Sequence, residues 1–184
     1  MSSHIQLAPN IYISHQVMYQ SINSRSTIDM FKRVVDAANK TIVKQFRKHL
    51  PEETKFNGID FVLRNIKANG VGGLCQYVNG KATIEVNYKY ARNNVKKLAE
   101  TIAHELVHAE QYLSGRLAWD YRSARYIWEG SVNSNKGSTY QRYRDQPWEI
   151  EAFSSQEELG NIILQHLPKA STPSDMTTCN GMFK

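Results

Sequence analysis

In the run Thr101-Ile-Ala-His-Glu-Leu-Val-His-Ala109, residues His104, Glu105 and His108 stand in the order HExxH. Histidines four apart on a helix project from one face, near enough for both imidazoles to reach one metal ion. A glutamate beside the first histidine faces the open coordination position. There it can take a proton from a metal-bound water whose pKa the ion lowers towards about 7. The chemistry this implies is metal-assisted hydrolysis, with Glu105 as general base. Zn²⁺ is the expected ion, although a His₂Glu set accepts several divalent metals.

Two imidazoles do not complete a catalytic zinc site, which takes a third protein ligand and leaves the fourth position to water. The remaining histidines are poorly placed. His4 and His15 lie in a weakly patterned start, His49 closes a basic helix and His166 ends the last one. The block Pro147-Trp-Glu-Ile-Glu-Ala-Phe153 is the better source. On a helix Glu149 shares a face with Ala152 and Phe153, whereas Glu151 points away by roughly 160–200°. Glu149 is therefore the expected ligand, with Glu151 behind it or in solvent. Oxyanion charge needs a donor; Tyr140, Arg142 and Tyr143 lie just upstream, and Tyr143 is the first choice among them. Gln111, seven residues after His104, shares the site face and reads equally as a supporting residue or as solvated surface. Trp119, Trp128 and Trp148 read as core or loop anchors without a role in the chemistry.

These residues need elements to hold them. From Ser26 to Leu50, Ile28, Phe31, Val35, Ala38, Ile42, Phe46 and Leu50 recur at three- and four-residue steps, which predicts one helix that Pro51 stops. Ile59–Ile66, Leu74–Val78 and Lys81–Asn87 read as strands, the last two joined through Asn79-Gly80, a strong hairpin signal. Residues 94–114 form the helix of the histidines, with Val95, Leu98, Ile102, Leu106 and Leu113 as its core stripe and Gly115 at its end. Residues 116–143 read as loops with a short strand near Tyr126-Ile-Trp128. A final helix opens at Pro147, a favoured first position, and runs to about Leu167 with a bend at Gly160. Residues 1–25 are set apart as an N-terminal segment, 26–167 as the domain and 168–184 as a flexible tail.

The chain has 184 residues, 41% of them hydrophobic and 22% charged, which excludes a wholly disordered or fibrous class. No apolar stretch approaches the roughly 20 residues of a membrane span, and the start lacks the pattern of a secretory leader. Two cysteines, Cys75 and Cys179, are too few for a disulfide scaffold and lack metal-type spacing. A cytoplasmic protein is the expectation. The net charge of +6 hints at nucleic acid as a partner, with Lys89, Lys96 and Lys97 as the residues concerned.

The succession of helix, three strands, HExxH helix and glutamate-bearing helix resembles the compact zincin metallopeptidases of the gluzincin type, the minigluzincins. Thr101–Ala109 is similar to the active helix of SprT-like proteins. Pro147-Trp-Glu-Ile-Glu-Ala152 looks like the block that supplies the third ligand in small metallopeptidase-like proteins, many of them from bacteriophages. The resemblance spans residues 26–167. It implies an α+β, zincin-like fold: an N-terminal helix, a small and mostly antiparallel sheet of three to four strands, the HExxH helix, and a C-terminal helix with the third ligand. It also implies a protein or peptide substrate, bound in extended form against the sheet edge. The SprT pattern has a third histidine after the motif and zinc-ribbon cysteines; this sequence has neither, which sets it apart from a SprT-type role in DNA–protein crosslink repair. Two rival readings follow: a nucleic-acid-associated SprT-like protease, and a non-catalytic, metal-stabilised binding or virion-associated protein.

Overall fold

A computed structural model describes residues 4–20, 24–68, 70–92, 94–132 and 143–168. Tyr140, Arg142, Cys179 and the expected tail from residue 169 lie outside the described residues.

The chain begins with an antiparallel pair, β1 (His4–Ala8) and β2 (Ile11–Ser14), followed by the single-turn helix α1 (His15–Met18). Alternation in β2 turns Ile11 and Ile13 inward, and both are completely buried together with Val17. β1 and β2, from the N-terminal segment, are strands of the main sheet. The run Ile11-Tyr-Ile13 suggests a short strand from sequence, and β2 covers it.

The expected helix over 26–50 is three pieces. They are α2 (Ser24–Ala38), a π-helical turn (Asn39–Val43) and α3 (Lys44–His49). The stripe Phe31, Val35, Ala38 and Ile42 is buried as its spacing requires. At the wide turn the Thr41 hydroxyl donates to the Ala37 carbonyl at 2.8 Å, so the helix changes pitch without exposing its polar groups. Leu50 leaves the helix in an extended conformation, as the following Pro51 demands.

Next come β3 (Ile59–Arg64), β4 (Gly73–Val78) and β5 (Lys81–Asn87), and the sheet has the order β1-β2-β3-β5-β4. The expected sheet was smaller and mostly antiparallel; the observed one is five-stranded and mixed. β2/β3 and β3/β5 run parallel, because α2 and α3 form a crossover between β2 and β3 and because β4 passes outside β5 before the hairpin returns. That hairpin turns on Asn79 and Gly80, with φ of 51° and 81°, both left-handed as a two-residue turn requires. Among the described residues β4 is an edge strand.

After the single turn α4 (Tyr88–Ala91), helix α5 (Val95–Leu113) carries the histidines. The Asn94 side chain caps it by accepting from the Lys97 amide at 2.8 Å. Leu98, Ile102 and Leu106 press into the core with Phe31, Leu63, Ile84 and Ile163. The segment read as loops contains more than one short strand: β6 (Leu117–Asp120), β7 (Arg125–Trp128) and β8 (Ser131–Val132) make a second, antiparallel sheet. The last helix, α6 (Pro147–Gln165), begins at the expected proline and runs unbroken through Gly160. No helix among the described residues is long and apolar enough to cross a membrane.

Candidate metal centre

His104 and His108 lie one turn apart in the middle of α5, and α6 brings Glu149 to them from its first turn. All three side chains are buried. The two Nε2 atoms are 3.2 Å apart, and each is 3.3 Å from an oxygen of the Glu149 carboxylate. The phase inferred from Pro147 is thus the one adopted. Ala152, on the same face as Glu149, is fully buried, and the Phe153 ring meets His104 edge-on at 4.6 Å.

These three donors fit a divalent cation. Ligand atoms about 2.0–2.1 Å from a tetrahedral Zn²⁺ stand about 3.3 Å from one another, which is the spacing seen here. Two imidazoles that both turn a lone pair to the same point repel unless a donated proton or a metal ion lies between them. Glu149 Oε2, moreover, is buried with no hydrogen-bond partner. The identity of the ion is a separate matter.

Charge follows from the same enclosure. Burial pushes the Glu149 carboxyl upward, but the two histidines and the Tyr143 hydroxyl set against it outweigh that and hold it down at about 2. Burial favours neutral His108, yet Glu149 and Glu105 together raise its pKa. Glu105 is buried too; loss of solvent raises its carboxyl, with His108 and His104 pulling the other way. The room for that carboxylate comes from Gly73 at the start of β4, where a Cβ would stand 2.7 Å from Glu105 Oε1 and 2.8 Å from its Cγ.

Gln111 proves to be support rather than surface. It is completely buried. Its Oε1 is 2.9 Å from His108 Nδ1 and its Nε2 donates to the Trp148 carbonyl at 3.1 Å. An amide oxygen can only accept, so His108 carries its proton on Nδ1 and presents the Nε2 lone pair to the centre. Glu151, set aside as a ligand, pairs instead with the Arg116 guanidinium at 2.8 and 2.9 Å. Tyr143 lines the cavity and is about half-exposed; burial, and then the charge of Glu149, raise its hydroxyl pKa. Cys75, to which sequence reading gave no place, lines the adjoining cavity. Burial, and then the charge of Glu105, keep its thiol protonated.

Residues 32–120 match the SprT-like family. The match runs from within α2 through β6 and takes in His104, Glu105 and His108, but ends before Glu149. It makes this region similar to a zincin-type, metallopeptidase-like domain; the carboxylate of the centre rests on geometry alone. No curated protein and no solved structure matches the chain.

Proposed function

We propose that the protein is a zinc-dependent peptidase of the gluzincin kind, with His104, His108 and Glu149 holding the ion and Glu105 as general base. What carries this reading is the convergence of three buried ligand atoms beside a buried fourth side chain, Glu105, at a cavity of about 600 Å³. A purely structural metal would need no such opening, because structural sites are closed by four protein ligands.

Bound there, Zn²⁺ would polarise the scissile carbonyl and acidify a water. The remaining work falls to the chain's own groups. The Glu105 carboxylate takes the proton of the attacking water and passes it to the leaving amine. Gln111 keeps His108 in one tautomer. Tyr143, which lines the same cavity, carries the hydroxyl proposed to donate to a developing oxyanion. β4 ends the sheet among the described residues, and an extended peptide would add to that edge as a further strand.

Peptide is preferred over nucleic acid as the substrate. Of the three lysines behind the latter reading, Lys96 lies between Glu100 and Glu157 at 3.6 and 3.5 Å, and Lys97 sits over the Tyr90 ring at 4.7 Å. Glu105→Gln provides the test. Elemental analysis should find the metal content unchanged, while cleavage of any peptide the wild type cuts falls about 10²–10⁴-fold. Undiminished cleavage would sink the mechanism.

A further inference from the structure

The cavity has two unlike ends. Glu105, His108 and Glu149 occupy one; the other is walled by Tyr112 of α5, Leu117 and Trp119 of β6, Tyr126 of β7 and Trp148 of α6. Trp119 and Tyr126 are direct cross-strand partners, with ring centroids 4.8 Å apart and planes at 69°. Tyr126 in turn leans on Trp148 at 5.0 Å. The strand connection behind them is fixed as well: Asp120 accepts from the Ser123 hydroxyl at 2.6 Å and from the Arg122 amide at 3.0 Å.

An aromatic cluster held this firmly could have been closed over. Instead Trp119 and Tyr126 remain 39% and 37% exposed on the cavity side of the second sheet. Leu74, across the cleft on the edge strand, is 41% exposed. Apolar surface that is both rigid and open, beside a reactive centre, is the usual make-up of a ligand pocket.

We propose that this aromatic end is a specificity pocket that takes one large apolar side chain, aromatic or leucine-sized, from a peptide residue next to the bond to be cut. The proposal rests on the peptidase reading above and names the substrate class for that site. An extended strand along β4 sends alternate side chains to the same side. A residue whose carbonyl lies at the metal centre therefore directs its own or its neighbour's side chain onto Trp119 and Tyr126. Rings offer such a guest stacked and edge-on contacts; Arg125 and Ser123 line the same cavity, so an acidic guest is the comparison that separates selection by the rings from selection by the guanidinium.

The test measures binding apart from turnover. Capped peptides that differ at one position (Phe, Leu, Ala or Asp) are titrated against the zinc-loaded Glu105→Gln protein, with tryptophan fluorescence and calorimetry as readouts. Phe and Leu peptides should bind at least tenfold more tightly than Ala and Asp peptides. Trp119→Ala should bring that preference within about twofold while metal content stays the same, Trp119→Phe should retain it, and Tyr126→Ala is the second variant should the first fail to fold. Equal affinity for Phe and Asp peptides overturns the proposal. So does an undiminished preference in both alanine variants, or tighter binding of a single-stranded oligonucleotide than of any peptide. Clear preference in binding with no peptide cut by the wild type would defeat the peptidase reading and leave the pocket standing. Cleavage without preference would do the reverse.

Discussion

Gln111 is the residue on which the centre's geometry turns. One amide reads the proton on His108 and, through the Trp148 carbonyl, fixes the backbone next to Glu149. Gln111→Leu removes both contacts while keeping a similar shape. It leaves the imidazole N–H buried without a partner, at about 1–3 kcal/mol at most, while the Trp148 carbonyl keeps its bond within α6. Supporting partners of this sort typically carry 10–100-fold in metal affinity, so competition with a chelator should show a loss of that size, larger than melting alone would suggest. Unaltered affinity would return Gln111 to simple packing. The HExxH set was legible in the sequence because four residues of helix fix the relative position of two imidazoles. Glu149 was legible because Pro147 starts the count. Gln111 was not, since its second partner lies 37 residues on and no local pattern joins them.

Among elements, the decisive contact is α5 against α6. Gly160 lies so close to α5 that a Cβ would stand 3.2 Å from the Cα and N of Glu100. The sequence suggested a bend there; the helix is continuous through the glycine, whose missing side chain lets the two backbones approach closely. Gly160→Ala gains about 1 kcal/mol of helix propensity but forces backbone against side chain, at about 1–3 kcal/mol. Because the obstacle is main chain, which cannot rotate away, the cost prevails. Denaturant midpoints should fall by the equivalent of about 1 kcal/mol, with metal content unchanged because Glu149 enters from the far end of α6. A rise in stability would show that α5 yields. The antiparallel hairpin at Asn79-Gly80 could be read from two residues. The parallel pairing of β2 with β3 could not, because the strands are separated by the whole of α2 and α3 and only the closed core sets their register.

For the molecule as a whole, the metal should act as a clamp between α5 and α6. An ion present at 100 times its dissociation constant stabilises the folded state by about 2.7 kcal/mol. At this chain length each kcal/mol moves the melting temperature by about 2–4 °C. Chelation should therefore lower it by roughly 5–11 °C, reversibly on return of zinc, as calorimetry would register; no shift would argue against any ion at the three ligands. The donor set is also divided in time. A chain still being made presents the two imidazoles of α5 well before the residues of α6 exist, and until that helix docks it has neither the carboxylate nor the Trp148 wall of the cleft. On the proposed function, hydrolysis has to wait until α6 has been made and has docked on α5, so the order of synthesis delays activity to the arrival of the last element of the centre.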